Sequence, residues 1–376
     1  MHSSREEIVI YLQSGVGDAH SRRMVAALAE FAHRQTPPWQ VRWGPELPLE
    51  DLQKQRYQGF IFFYQTLSAM EAIRATGVPT VQVGTDWKPG PFPAVLPDHR
   101  AIGSLAVRHF RERLFRDYAF VGDLAISFVA HREEAFRAAL EPAEQYHCFA
   151  LDSADNPNHR GLKDWLLSLP THTGILGAND YVARRICECC GELGLKIPGQ
   201  RAILGVDNDE MLILSSPVAF SSIDPGSVEI GRRAGEMLAN VMAGRPVHPS
   251  TIQVPPVEVV LRPSTDHLAT DDEKVAAAAR IMREETCGGL KVEDICRRVG
   301  LGRRAFEVRF KGAIGRPPEA EMRRIRMERA RFLLKSSNKS IQEVGEASGF
   351  RDSYYFSAAF KREHGLSPRA WREAQG

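Results

Sequence analysis

The chain has 376 residues, 43% hydrophobic and 26% charged, with a formal net charge of +2. That length accommodates two or three domains with proper cores, and the composition is that of a soluble globular protein. No run approaches a membrane-spanning length of apolar residues, and Met1–Glu7 is polar and charged. Neither a membrane span nor a signal peptide is therefore expected, and a cytoplasmic protein is predicted. The near-neutral total hides an asymmetry: residues 271–376 carry 23 Lys+Arg against 16 Asp+Glu, and the remainder 26 against 31. A basic tail on an acidic body is the electrostatic footprint of a nucleic-acid binder joined to something else.

In chain order, Glu7–Leu12 reads as a buried strand, followed by Gly15-Val-Gly17-Asp18 and a helix over His20–His33. The glycines approach a dinucleotide fingerprint, but His20 stands where the third glycine belongs. The next strand, Val41–Trp43, ends in no acidic residue, so no cofactor is expected. Alternating units follow: strand Tyr57–Tyr64, helix Ser68–Thr76, strand Thr80–Val83, a proline-rich loop Pro89–Pro97, and helix Arg100–Phe115. A second half begins at strand Tyr118–Val121. It continues with helix His131–Leu140, strand Tyr146–Ala150, helix Leu162–Leu169, strand Gly174–Ala178, helix Tyr181–Leu193 and strand Ala202–Val206. Short strands alternating with helices predict parallel sheets covered on both faces, and two such half-sets fit two lobes. The six cysteines (Cys148, Cys187, Cys189, Cys190, Cys287, Cys296) are scattered, so reduced thiols are expected; Cys187-Glu-Cys189-Cys190 lies in a helix without a partner cluster for a metal.

Ligands of parallel sheets sit at the carboxyl ends of strands. Here those ends carry Asn179-Asp180 and Asp207-Asn208-Asp209. The stretches Gly177-Ala-Asn-Asp180, Gly205-Val-Asp-Asn208 and Ile223-Asp-Pro-Gly226, followed by a helix over Glu229–Met242 and by Pro255–Arg262, resemble the periplasmic-binding-protein-like sensor domain of LacI-type repressors. The resemblance spans about residues 6 to 263. It implies a sugar site holding Asn179 and Asp207 from the second lobe, with Arg132, three residues before Ala135-Phe136, and, from the first lobe, Asp98 at the crossing into the Arg100 helix. A sugar offers hydroxyls that both donate and accept, so carboxylates, amides and an arginine suit it. Other roles for these residue types stay open: Asn179 or Asp180 as a helix cap, Asp207 or Asp209 as a turn former, Asp98 as a cap, Arg132 as a surface charge. Trp87, Phe63 and Tyr64 are candidates to stack on a sugar face.

The tail repeats itself. Lys291–Leu301 returns as Ser340–Phe350, and Phe310-Lys311, Gly315 and Pro318 return as Phe360-Lys361, Gly365 and Pro368. Each copy reads as a helix, a glycine turn and a second helix, with Gly300 and Gly349 placed where the chain must reverse. Val292, Ile295 and Val299 share one face, as do Ile341 and Val344. Phe306/Phe310 and Phe356/Phe360 anchor the second helices. Opposite those phenylalanines lie Arg303, Arg304, Glu307, Val308 and Lys311 in one copy and Ser353, Tyr354, Ser357, Ala358 and Lys361 in the other. Such side chains can reach base edges in a major groove. Between the copies Pro317-Pro318 opens a spacer helix running to about Lys335, with Met322, Ile325, Phe332 and Leu333 on its buried side. Gly349-Phe350, Tyr355-Phe356, Phe360-Lys361 and Gly365-Leu-Ser-Pro368 resemble the AraC-family DNA-binding domain over about residues 272–374. Ala358 and Val308 depart from that family's polar readers.

The expected fold class is thus an α/β two-lobed periplasmic-binding-protein-like domain with parallel sheets (1–265), followed by an all-α domain with two helix-turn-helix motifs (266–376). The pairing resembles bacterial sugar-responsive regulators. It implies a DNA-binding activator of sugar catabolism genes, a pentose effector such as D-xylose, a homodimer on operator DNA, and RNA polymerase as a partner. No G-x-S-x-G, P-loop or H-E-x-x-H motif speaks for an enzyme.

Overall fold

The computed structural model describes residues 8–14, 17–63, 67–84, 91–151, 160–266, 268–270, 272–337 and 339–375. It divides into two compact units, the first ending at Asp266.

The first lobe of the first unit is built from β1 (Ile8–Gln13), α1 (Ala19–His33), β2 (Trp39–Gly44), α2 (Leu49–Gln53), β3 (Gly59–Phe62), α3 (Leu67–Thr76), β4 (Thr80–Val83) and β5 (Ala94–Pro97). The chain then crosses to a second lobe made of α4 (His99–Arg111), β6 (Asp117–Gly122), α5 (Ser127–Ala138), β7 (Gln145–Ala150), α6 (Arg160–Ser168), β8 (Thr173–Gly177), α7 (Asp180–Glu192), β9 (Arg201–Val206), α8 (Glu210–Leu214) and β10 (Ser221–Asp224). It returns through α9 (Ser227–Met242) and β11 (Thr251–Val254) to the first sheet, and β12 (Glu258–Val260) closes the second. The sheets run β11-β5-β4-β3-β1-β2, all parallel, and β12-β10-β9-β8-β6-β7, parallel except for the antiparallel edge β12.

Strands β3, β4, β5, β8 and β9 are buried at every position, as strands covered on both faces must be. Side chains alternate between the layers. Ile10, Leu12 and Ile61 meet Met24, Leu28, Ile230 and Leu238 of α1 and α9, while Phe60 and Phe62 point the other way to Leu52, Met70 and Ile73. Helices cross tightly where glycine removes a side chain. A Cβ at Gly103 of α4 would lie 2.5 Å from the Ala135 carbonyl carbon and 2.6 Å from the Phe136 nitrogen of α5.

Three crossings join the lobes: at Asp98, over Asp224–Gly226, and between Val254 and Glu258. They are bonded side by side, the Asp98 N–H donating to the Val254 carbonyl and the Val257 N–H to the Asp224 carbonyl, each at 2.8 Å.

The second unit comprises α10 (Glu273–Glu285), α11 (Val292–Val299), α12 (Arg303–Ile314), α13 (Pro318–Ser336), α14 (Ile341–Ala347), α15 (Ser353–His364) and α16 (Pro368–Gln375). The repeat is a pair of helix-turn-helix motifs, α11–α12 and α14–α15, with Gly300 and Gly349 left-handed at φ 64° and 82°. Gly349 is also pinned by close approach, since a Cβ there would sit 2.8 Å from the Cys287 Cα. Ser340 and Glu343 form a reciprocal capping box at the start of α14. Phe356, Phe360, Val344, Leu334 and Phe350 share one core, and Phe306 and Phe310 are fully buried in the other half.

Three expectations need correction. The stretch Pro89–Pro97 was expected to be a loop, yet Ala94–Pro97 is the inner strand β5; its apolar run Ala-Val-Leu was masked by flanking prolines. Helix α4 ends at Arg111 rather than Phe115, because Leu114 turns left-handed at φ 66°. Phe332 is 44% exposed, its ring faced by the Arg329 guanidinium, whereas Met322, Ile325 and Leu333 are buried as the spacing predicts.

The α4–α5 crossing yields a test. Gly103→Val should lower stability by about 1–3 kcal/mol through overpacking, measured as a fall in the urea midpoint. Gly161→Ala in α6, where the nearest atom to a new Cβ is 3.6 Å away, should leave the midpoint unchanged or raise it. Equal effects would show that the crossing relaxes freely.

Candidate functional site

Where the lobes meet, the N-terminus of α1 is set against the carboxyl ends of β9 and β10. Asp18 caps α1, accepting from the Ser21 N–H at 2.7 Å. The helix start then reaches across the lobes. The Ala19 N–H donates to Asp209 Oδ2 at 2.8 Å, and Arg22 pairs with the same carboxylate at 3.0 Å. Arg23 donates to the carbonyls of Asp207 and Asn208 at 3.0 and 2.6 Å and faces Asp224 at 3.6 Å. Asp207 and Asn208 are both left-handed, at φ 113° and 50°. Such conformations cost on the order of 1–3 kcal/mol each and are held only by over-determined surroundings. Here the Asp207 N–H donates to the Ile223 carbonyl, the Asn208 N–H to Ser222 Oγ, and Arg262 to Asn208 Oδ1.

The interior of this meeting place is charged and buried. Arg132 of α5 is 2% exposed; it donates to the Ala178 carbonyl and lies over the Phe128 ring at 5.5 Å. Its Nε finds no acceptor among the described residues. Burial lowers its pKa, while Asp207 and Asp180 support its charge. Burial in turn pushes Asp207 up to about 7, against the pull of Arg132, with Asp18 and Asp209 adding repulsion. Asp180, fully buried, is raised well above the carboxylate range although it accepts from Ser222 Oγ and the Asp209 N–H, each at 2.6 Å. His20 of α1 meets Ser227 Oγ at 2.8 Å and the edge of Phe63, and burial lowers it to about 4. His99 is buried beside Arg132 and His131, with neither ring nitrogen partnered among the described residues.

Of the four expected ligand residues, Arg132 and Asp207 come together in this interior. Asp98 and Asn179 are half-buried caps of α4 and α7, accepting from the Ala101 and Val182 N–H groups at 2.9 and 3.0 Å. Phe63 is half-buried on the core of the first lobe, while Trp87 and Tyr64 lie outside the described residues. Sequence reasoning did not single out His99, Arg23 or Asp18, and it read His20 only as a misplaced glycine. The sole signal for His99 was its position beside the crossing residue Asp98. Cys187, Cys189 and Cys190 are packed into the second lobe, where burial pushes Cys187 and Cys190 up to about 12.

In the second unit, the faces of α12 and α15 opposite their phenylalanines are open. Arg304, Lys311, Ser353, Tyr354 and Lys361 are exposed, and Ser357 is half-buried. Arg303 is otherwise engaged: its guanidinium binds Glu293 of α11, Glu307 at 2.8 Å, and Glu319 of α13 at 3.0 Å. Arg303 thus links α12 to α11 and α13, while Glu307 pairs with it from the next turn of the same helix. Among the described residues Arg304 and Lys311 make no ion pair, and Val308 between them is 67% exposed.

A two-lobed α/β unit with a buried polar interior, joined to paired helix-turn-helix motifs, defines a class. Residues 107–265 match the periplasmic binding protein-like domain and residues 295–374 a helix-turn-helix domain. The chain is a transcription regulator of the AraC type with a periplasmic-binding-protein-like sensor, and its relatives are transcription regulators rather than enzymes. Along its length it is similar to the xylose operon regulatory protein of Escherichia coli strain K12, 28% identical over 99% of this chain and 98% of that one. Similarity extends to the xylose operon regulatory protein of Haemophilus influenzae, 26% identical over 96% and 97%. A solved structure described as a xylose-binding transcription activator superposes with a TM-score of 0.64, at 27% identity and 99% coverage of both chains. A LacI family regulator from Enterococcus faecium with bound ribose, 19% identical, shares the fold over 70% of this chain and 99% of its own, with a TM-score of 0.57.

Because the folded chain holds the Asp207 proton more tightly than the unfolded chain does, its contribution to stability is full below the ordinary carboxylate range and is lost as pH rises toward 7. Asp207→Asn should therefore raise the ligand-free melting temperature at pH 8, by about 2–4 °C for each kcal/mol recovered, and by less at pH 5. A melting temperature unchanged or lowered at pH 8 would show that Arg132 fully offsets the buried charge.

Proposed function

We propose that this regulator activates sugar catabolism genes in response to a free pentose, D-xylose first among them. The effector would be held between the lobes by Arg132 and Asp207, with Asp98 and Asn179 at the rim. The observation that carries the reading is that Arg132 and Asp207, both buried, act electrostatically on one another in an interior that still holds polar groups without a partner among the described residues. Those groups need a ligand rich in hydroxyls, each a donor and an acceptor. The full-length likeness to the xylose operon regulatory proteins supports the choice of sugar. Residues 1–265 act as the sensor and 266–376 as the DNA-binding domain of a cytoplasmic homodimer. Sugar binding shifts the population of lobe arrangements, and the tail's grip on double-stranded DNA, and through it on RNA polymerase, follows.

On DNA, Arg304, Lys311, Ser353, Tyr354, Ser357 and Lys361 face the groove, while Arg303, with Glu307 beside it, ties α12 to its neighbouring helices. The 19 residues of α13 span roughly 28 Å at 1.5 Å per residue. That is close to the pitch separating successive major-groove sites on one face of a duplex.

Two measurements test this. A thermal-shift screen of the full chain against pentoses and hexoses should give its largest rise with D-xylose. No rise with any sugar would remove the effector assignment. In a base-substituted operator series, Arg304→Ala should cost about 1–3 kcal/mol confined to one base position; an equal loss on every sequence would make Arg304 a phosphate contact.

A further inference from the structure

We propose that His99 is a specificity residue of the cleft, its imidazole engaging two hydroxyls of the effector and restricting the site to uncharged polyols over sugar acids and sugar phosphates. The proposal rests on the cleft being the effector site and goes further in naming a residue and a chemical class.

His99 opens α4 directly after the crossing residue Asp98, whose N–H is bonded to the Val254 carbonyl of another crossing. The ring is therefore fixed to the backbone on which the lobes turn. It is 6% exposed, and both Nδ1 and Nε2 lack a partner among the described residues. Buried polar atoms are rarely left so, and two on one ring, with the Arg132 Nε nearby also unmatched, mark a place where something else binds. The charged and titratable groups acting on His99 are Arg132, His131 and His20, all basic, which together with burial keep the ring neutral.

A neutral imidazole presents one N–H and one lone pair. A carboxylate or phosphate only accepts: it could take the N–H but would set a second acceptor against the lone pair. It would also bring negative charge toward the buried Asp207 carboxyl group, which Asp18 and Asp209 already repel. Two hydroxyls satisfy both ring nitrogens without adding charge, and a third can accept from the Arg132 Nε.

The test uses the full chain and isothermal titration with D-xylose, D-xylonate and D-xylose 5-phosphate. The wild type should bind the free sugar at least 100-fold more tightly than either anion. His99→Phe should bind the sugar at least tenfold more weakly while its ligand-free melting temperature holds or rises, since two unmatched nitrogens are gone. His99→Gln, which keeps one donor and one acceptor, should recover most of the affinity. His99→Leu serves the same purpose as the phenylalanine variant should that ring not fit. Wild-type-like affinity in the phenylalanine or leucine variant would overturn the role of His99. Tighter binding of either anion would overturn the chemical class. A wild-type chain that binds no neutral sugar would overturn the effector assignment itself, a failure distinct from the other two.

Discussion

The guanidinium of Arg132 is a full positive charge almost entirely removed from water, and the surrounding second lobe is arranged to tolerate it. An ion in that position is strongly destabilising unless its field is matched and its donors are used. The match comes from three directions: the Ala178 carbonyl at the end of β8, the carboxyl groups of Asp207 and Asp180, and the π face of Phe128. Asp180 can stay buried only because Ser222 Oγ and the Asp209 N–H donate to it. In this way the ends of three neighbouring strands, β8, β9 and β10, are locked around one cation. A hydroxyl-rich ligand placed there finds rigid donors and acceptors already desolvated, which is what gives polar contacts their strength in a protein interior.

Much of this was legible in the residues, for reasons that can be named. Strands β3, β4, β8 and β9 are short apolar runs bounded by turns. The tail motifs combine a helical period with glycines that must be left-handed. Both signals are local, so they survive without a third dimension. Strand β5 was hidden because proline dominates the propensity of its surroundings, although Pro97 only ends the strand, where a missing N–H costs little. Arg132 and Asp207 could be named from residue type and motif position. His20 and His99 could not, because nothing in the sequence reveals that a histidine will be buried or that its nitrogens will go unmatched. Arg303 shows another limit of local reading: it lies on the exposed stripe of α12 as expected, but Glu293 and Glu319, which claim its guanidinium, arrive from α11 and α13.

That claim makes the two helix-turn-helix copies unequal in a way their sequences conceal. Helix α12 starts at Gly302 without a side-chain cap, and to its buried Phe306 and Phe310 the Arg303 guanidinium adds a bridge to α11 and α13. Helix α15 instead starts at Asp352, which accepts from the Tyr355 N–H at 2.6 Å, and no comparable ion-pair bridge appears among its described residues. A single exposed ion pair contributes little, but an arginine shared by several carboxylates loses side-chain freedom only once. The first copy therefore carries charged exposed groups on a braced helix. The second carries Tyr354, 85% exposed, on a helix anchored mainly by its aromatic core.

The turn at Asp207–Asn208 ties recognition to the relation between the lobes. Its side chain enters the charged interior with Arg132, while its carbonyls, and that of Asn208, are the acceptors for Arg23 of the other lobe. Both residues are left-handed, so the turn is a spring held by its partners rather than a relaxed loop. The neighbouring Asp209 caps α8 and at the same time receives the Ala19 N–H from the first lobe. The three crossings are bonded edge to edge through Asp98, Val254, Asp224 and Val257, so they hold one another beside this turn. On the proposed reading, an effector contact at Asp207 would act on the same turn that carries the acceptors for Arg23 of the other lobe, so that recognition and the relation between the lobes would share one strained residue.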